Sequence, residues 1–186
     1  MNDGAGHRPF AVDLQPMMTN DPLKLIDEAR QANGDNNLEL AEALLSRAIE
    51  LADQMPRETR EYSRAQGIFA LWRFYQDRFA EAEIYQRRYM EAEKRLGLGE
   101  RELANLTLFL AEMQQKQRKL GEAKATIENA INLFPPDPSE LSVAYADLAS
   151  ILAELGDSNG ASIAGQKSAE LRKEWDDIVA ARKPET

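Results

Sequence analysis

Alanine recurs at a fixed interval of 41 residues along this chain, and few kinds of fold produce such a spacing. One column of the repeat comprises Ala41, Ala82 and Ala123, and a second, one helix earlier, comprises Ala29, Ala70 and Ala111. Large residues keep the interval in two more columns, Leu38, Phe79 and Leu120, and Ile49, Met90 and Ile131. A fourth copy follows at a spacing of 38. A period of this length predicts an array of stacked supersecondary units.

The residues between these columns have the pattern of helices. From Pro22 onward, apolar residues recur every three or four positions and good helix formers dominate. Asp21 and Pro22 mark the first helix, because aspartate caps free amides and proline at the first helical position loses no needed hydrogen bond. Helix-breaking stretches fall at 32–37, 53–58, 75–78, 97–100, 116–121, 134–140 and 154–160. They predict about eight helices of roughly 12–20 residues within residues 22–182.

The small residues have a physical role in such an array. Two antiparallel helices joined by a short turn approach closely only where at least one of them carries a small side chain. We therefore expect Ala111 and Ala123 at the crossing of one helix pair. Ala130, two turns beyond Ala123, is expected to face the following pair, and Pro135 is expected to end the unit.

These residues resemble the tetratricopeptide repeat (TPR) family, in which a leucine and a small residue in one helix are followed by large and small residues in the next and a final proline. The third repeat carries this pattern at Leu110, Ala111, Leu120, Ala123, Ile127, Ala130 and Pro135, and the first at Ala29, Leu38, Ala41, Leu45 and Ala48. The spacing of 41 looks like the longer repeats of the kinesin light chain type. The resemblance covers residues 22–175 and implies an all-α, right-handed α-solenoid of about four helix-turn-helix repeats.

The resemblance also implies a domain organisation. Residues 21–182 are expected to form a single helical repeat domain, with repeats at about 22–56, 59–97, 100–136 and 138–175. A closing helix over Leu171, Trp175 and Ile178 is expected to extend the last repeat to about Arg182. Residues 1–20 are expected to be a disordered tail and 183–186 a short one, and a start at Met17 or Met18 stays an alternative.

The second repeat departs from the family pattern. Tyr89 stands where the neighbouring repeats have alanine, Gln86 replaces a large apolar residue, and Arg73 occupies an apolar or aromatic position. Two explanations are open. Either the first helix of this repeat is rotated, so that Trp72 or Phe74 is buried instead, or the turn is one residue shorter.

The sequence contains no constellation of catalytic or metal-ligating residues. Its one histidine, His7, lies in the predicted tail, there is no cysteine, and no HExxH or acidic calcium loop occurs. The GLGE stretch at 97–100 lacks the strand and the Lys-Ser/Thr pair of a phosphate-binding loop. Carboxylate pairs such as Glu81/Glu83 and Asp176/Asp177 are interpreted as solvated helix faces. We therefore expect no catalysis, no cofactor and no metal.

Charge and hydropathy narrow the class of partner. A net charge of −9 disfavours nucleic acid, because phosphate backbones repel an acidic surface. No apolar run approaches the ~20 residues of a membrane span, and the N-terminal residues lack the pattern of a secretory signal. These features predict a soluble cytoplasmic protein without membrane insertion.

The resemblance implies a groove lined by the first helix of each repeat. The family's groove positions in the first three repeats correspond to Ile26, Arg30, Ile68, Leu71, Phe74, Tyr75, Asn105, Leu108, Phe109 and Glu112. Those of the fourth repeat are Ala146, Asp147 and Ser150. An apolar and aromatic groove suits an amphipathic helix or extended peptide, so we expect a non-catalytic adaptor with a protein partner. Packing between adjacent repeats is the alternative role of Phe74, Leu108 and Phe109.

Two other functions stay open. The fourth repeat has Ser158, Gly165 and Ser168 at family positions that are normally bulky, bulky and small. Weak capping around Gly165 and Ser168 suits a self-assembling scaffold that stacks through its end repeats into a homo-oligomer. An acidic, all-helical chain of this size also resembles a small secretion-type chaperone for an aggregation-prone client.

Overall fold

The computed structural model describes residues 19–181, which form eight α-helices and no strand. The helices are α1 (Pro22–Gly34), α2 (Leu38–Ala52), α3 (Arg60–Tyr75), α4 (Phe79–Arg95), α5 (Glu100–Lys116), α6 (Leu120–Leu133), α7 (Pro138–Glu154) and α8 (Ser158–Ala181). Every interval between helices overlaps a predicted break, so the all-α class and the number of helices are confirmed. Helix α8 has 24 residues because it includes most of the predicted closing helix. Residues 1–18 and 182–186, with most of the predicted tails and the predicted end at Arg182, lie outside the described part.

The predicted start of the first helix is confirmed. Pro22 opens α1, and Asp21 accepts a hydrogen bond from the Leu23 N–H at 2.9 Å. Helix α7 begins in the same way, with Pro138 in its first turn and the Asp137 carboxylate accepting from the Ser139 N–H at 3.0 Å. In both helices an aspartate satisfies one of the amides that the first turn leaves without a partner.

The chain divides into two compact units, Met1–Met55 and Pro56–Thr186, called unit 1 and unit 2 below. Unit 1 contains α1 and α2, which pack against each other with Ala29 and Ala41 buried. Unit 2 contains α3 to α8, and each of these helices packs against the next, with the pair α7 and α8 most extensively in contact.

The turn within each helix pair repeats the interval found in the sequence. The pairs are α1–α2, α3–α4, α5–α6 and α7–α8, and each turn has three residues. Its middle residue has a positive φ, and these residues are Asn36, Asp77, Arg118 and Gly156, with φ of 60°, 58°, 63° and 83°. The next amide donates back to a carbonyl near the end of the preceding helix, as in Asn37 to Ala32 at 2.8 Å and Lys119 to Gln114 at 2.9 Å. Since all four turns have the same length, the explanation that invoked a shorter turn in the second repeat is wrong.

The small residues lie where the spacing predicted. Ala111 of α5 and Ala123 of α6 are both fully buried in one cluster with Ile127 and α7 residues such as Ile151. Ala130 belongs to a second cluster with Ala144, which lies on α7 in the following helix pair. Ala130 therefore faces the next pair as expected, and α6 ends at Leu133, before Pro135.

Arg73 keeps its place in the repeat. It is only 3% exposed, whereas Trp72 and Phe74 are partly buried, so helix α3 is not rotated and that explanation is also wrong. The guanidinium of Arg73 donates to Gln76 Oε1 at 2.8 Å and lies 3.3 Å from Glu81 Oε2. Neighbouring polar groups thus satisfy a charge at a position that the family pattern reserves for an apolar side chain.

Tyr89 is accommodated by a glycine on the facing helix. A Cβ atom added to Gly67 of α3 would lie 3.2 Å from three carbons of the Tyr89 ring. One repeat later the same two positions hold Leu108 and Ala130, and one repeat earlier they hold Ile26 and Ala48. In the second repeat the large side chain of this pair therefore lies on the second helix, whereas in the first and third repeats it lies on the first helix.

Two further side chains of α4 are buried although they are polar. Gln86 is 1% exposed, and its Nε2 donates to the Leu106 carbonyl at 2.9 Å. Glu83 is 6% exposed, which corrects the interpretation of Glu81/Glu83 as a solvated pair. Burial alone raises the pKa of Glu83, but hydrogen bonds from Lys119, Gln117 and Arg87 outweigh it and lower this pKa to about 2. The carboxylate thus joins α4 to the turn between α5 and α6.

Candidate protein-interaction groove

A cavity of about 620 Å³ opens between α5, α6 and α7 in unit 2, and it is called the groove below. Its lining combines apolar and charged side chains, namely Leu108, Phe109, Glu112, Gln115, Lys116, Arg118, Ile127, Val143, Asp147 and Glu154. Three of the predicted groove residues lie in this lining, Leu108, Phe109 and Glu112, together with Asp147 of the fourth repeat.

Helical spacing brings the lining side chains together. On α5, Leu108, Glu112 and Lys116 are four residues apart, which places them on one face. On α7, Val143 and Asp147 have the same spacing. The two faces are linked directly, because Gln115 Nε2 donates to Ser150 Oγ at 3.3 Å.

The apolar side of the groove is formed by core residues that retain an exposed edge. Leu108 is partly buried and packs against the clusters around Ala111 and Ala130. Phe109 is partly buried against the cluster of Ala70, Ala82 and Met113. Packing and groove lining, stated above as alternatives for these two residues, are therefore compatible. Val143 is 50% exposed, so it presents apolar surface to solvent.

The charged side of the groove contains one internal ion pair. Arg118 forms a salt bridge with Glu154, and Gln115 donates to the same carboxylate. Glu112 and Asp147, in contrast, influence each other as two negative charges. Partial desolvation, and next the negative charge of Glu112, raise the pKa of Asp147. The two carboxylates thus repel each other across the groove.

Helix α3 carries the predicted residues of the second repeat. Phe74 is partly buried, and its ring centroid lies 5.0 Å from that of Phe109, which links α3 to the groove. Leu71 is 44% exposed and Tyr75 80% exposed, whereas Ile68 is partly buried. The exposed Leu71 and Tyr75 therefore lie on the same helix as Phe74, the residue that contacts the aromatic side of the groove.

The remaining predicted residues lie elsewhere. Asn105 is exposed on α5 and is not part of the cavity lining. In unit 1, Ile26 is fully buried, so its side chain offers no surface to a ligand and we exclude it from the site. Arg30 is exposed and forms a salt bridge with Asp27 at 3.3 Å.

Sequence reasoning missed several lining residues. Val143 stands 38 positions after Asn105, which is the spacing of the fourth repeat, so carrying the Asn105 column one repeat further would have identified it. The contribution of Glu154 and Arg118 depends on the turn before α6, and no local pattern in the sequence indicates it.

The part of the chain that the structure describes offers neither a metal site nor a membrane-spanning helix. Within residues 19–181, no three His, Asp or Glu side chains are grouped closely enough to hold a metal ion. None of the helices in this range is both long and apolar enough to span a bilayer.

Comparison with known proteins supports the fold. The crystal structure of BtubC (BKLC) from P. vanneervenii is similar to this chain, with a TM-score of 0.68 and 18% sequence identity. The match covers 92% of this chain and 71% of that chain. No protein-family model matches the sequence, and no curated protein matches it. The structural likeness supports a TPR-like helical-repeat fold, and the right-handed superhelix stays a prediction.

Proposed function

We propose that this protein is a non-catalytic adaptor whose groove in unit 2 binds a peptide or amphipathic helix of a partner protein. The observation that carries the proposal is the 620 Å³ cavity between α5, α6 and α7. Clefts of about 300–1,000 Å³ bury most of the surface of a drug-sized ligand. A cavity of this volume is therefore large enough to receive side chains of a bound peptide.

Exposed apolar residues beside the cavity support the same function. Leu71, Tyr75 and Val143 each leave 44% or more of their surface in solvent. Tyrosine is enriched among the residues that dominate binding energy, since its ring supplies a large contact area at little entropic cost. A peptide in the groove would cover Val143, and one that extends past Phe109 onto α3 would also cover Leu71 and Tyr75.

The buried carboxylate of Glu83 in unit 2 favours a structural rather than a catalytic role for this residue. Glu83 has a pKa of about 2 because three neighbouring side chains donate to it. A carboxylate held ionised in this way cannot donate a proton near neutral pH, as a general acid must. Its partners are those of a fixed link between helices.

Affinity capture with matched variants tests the proposal. Val143→Lys places a positive charge in the groove at a half-exposed position, and Ile163→Lys on α8, where Ile163 is 60% exposed, is the control. We expect the wild type and the Ile163 variant to capture the same partner from the source organism and the Val143 variant to lose it. Equal capture by all three, with all three folded by circular dichroism, would contradict the assignment of the groove.

Self-assembly through the end repeats receives less support. Ser168, one of the two residues on which that alternative depends, is buried and donates to the Ser142 carbonyl of α7 at 2.7 Å. It therefore contributes to the α7–α8 contact. Light scattering across a concentration range distinguishes the two functions, because the adaptor stays monomeric where a stacking scaffold grows.

A further inference from the structure

We propose that the groove recognises a basic segment, in which one Lys or Arg side chain lies between Glu112 and Asp147 and apolar side chains flank it. This inference rests on the proposed function and specifies the chemistry of the partner. It is argued from the charges that line the groove and from the apolar surface beside them.

Glu112 and Asp147 are the two carboxylates of the groove without a cationic partner. They face the same cavity from α5 and α7. Lys116 and Arg118 are the other charged groups in the lining besides Glu154, and Arg118 is already bound to Glu154. Within residues 19–181, neither Glu112 nor Asp147 forms a salt bridge, and Lys116, four residues after Glu112, forms none either.

Glu83, a buried carboxylate of the same unit, differs from Glu112 and Asp147 because it has cationic partners. Glu83 is neutralised by Lys119 at 2.8 Å and by Arg87 at 2.7 Å. This chain thus supplies cations to a carboxylate that serves packing. At the groove it leaves two carboxylates facing each other, and the repulsion between them falls when a third group brings a positive charge.

The apolar side of the groove determines what carries that charge. Leu108, Phe109 and Val143 form a surface on which the methylene stem of a lysine or arginine packs while its charged end reaches the carboxylates. Covering this surface also removes water, which strengthens the ion pairs. An acidic or phosphorylated segment would meet two unpaired carboxylates against one unpaired cation, Lys116, and is disfavoured.

Peptide selection on the full chain tests the inference. A phage-displayed random peptide library is selected on the wild type, and the recovered peptides are synthesised and measured by fluorescence anisotropy at low and high salt. The groove variant is Glu112→Gln/Asp147→Asn. The control is Glu122→Gln/Asp176→Asn, which changes the net charge equally at two exposed positions outside the groove.

The expected result has three parts. The recovered peptides carry Lys or Arg between apolar residues, and replacing that residue with norleucine weakens binding about tenfold. The groove variant weakens binding of the original peptide by a similar factor and abolishes the difference between the two peptides. The control variant changes affinity less than about twofold at high salt, where distant charges are screened.

Other outcomes separate this inference from the proposed function. Peptides without a basic residue whose binding is lost in Val143→Lys would overturn the inference and leave the adaptor function standing. Binding that is unaffected by Val143→Lys, or the recovery of no peptide, would overturn both. A dimer that the groove variant dissociates would show that a second copy occupies the groove. Arg8 is the only Lys or Arg among residues 1–18, so tighter peptide binding by Arg8→Gln would show that the N-terminal residues of this chain compete for the groove. Either result would overturn the proposal that a separate basic partner binds there.

Discussion

The exchange of volume between Gly67 and Tyr89 gives a quantitative prediction about the second repeat. A Cβ atom at position 67 would approach three carbons of the Tyr89 ring to 3.2 Å, which is closer than ordinary contact. Gly67→Leu adds three more carbons beyond that point. Overpacking of this kind costs about 1–3 kcal/mol of the free energy of unfolding, and the partly buried Tyr89 can relieve part of it by moving.

The reverse substitution creates a gap. Tyr89→Ala leaves the space over Gly67 empty, and loss of a large ring from a buried site costs about 3–5 kcal/mol. Tyr89 is only partly buried, so we expect about 2 kcal/mol. The double variant Gly67→Leu/Tyr89→Ala restores the pair that the third repeat has at Leu108 and Ala130. Its loss of stability should be about 2 kcal/mol smaller than the sum of the two single losses.

Urea denaturation of the four proteins measures this coupling as a double-mutant cycle. Gly121→Leu on α6 is a matched control, since a Cβ atom there meets nothing within 4 Å. Combined with Tyr89→Ala, it should be additive within about 0.5 kcal/mol. Additive losses for Gly67→Leu and Tyr89→Ala would refute the argument that these positions share one volume.

The turns and the buried carboxylate give two further predictions. Asp77 has φ of 58°, where glycine is favoured, so Asp77→Gly should stabilise the fold by up to about 1 kcal/mol and raise the melting temperature. Gly156 has φ of 83°, so Gly156→Ala should destabilise the fold by a similar free energy and lower the melting temperature. Unchanged melting temperatures in both variants would contradict the assigned turn geometry. The pKa of Glu83 is lowered from 4.5 to about 2, so its contribution is complete above pH 4.5 and is lost as pH falls toward 2. Glu83→Gln should flatten that part of the stability profile, which has an amplitude of about 3 kcal/mol in the wild type, and an unchanged profile would show that Glu83 is not held ionised.

The sequence predicted the helices and their crossings because both depend on features that recur. A turn needs a residue that tolerates positive φ, and a close crossing needs a small side chain, so both requirements return at each interval of 41. The burial of Glu83 was missed, because its partners Gln117 and Lys119 are 34 and 36 residues away and belong to polar columns outside the apolar and small-residue pattern. Those polar columns also recur, since the positions one interval of 41 earlier hold Glu42, Gln76 and Arg78. Comparing them would have indicated the link. The pairing of Gly67 with Tyr89 could have been recognised by comparing the two columns together.

In the groove, too, the repeat predicts the positions, whereas the side chains at those positions differ from one repeat to the next. The repeat spacing predicts which positions face it, and equivalent positions hold Ile68 on α3, Phe109 on α5 and Asp147 on α7. Leu71 and Glu112 are another equivalent pair, on α3 and α5. Both columns lose their apolar character in the direction from α3 to α7, because Ile68 and Phe109 are followed by Asp147, and Leu71 is followed by Glu112 and Ser150. A bound segment should therefore direct its basic side chain toward Glu112 and Asp147 and most of the flanking apolar side chains toward α3, so the orientation of the partner is constrained as well as its composition.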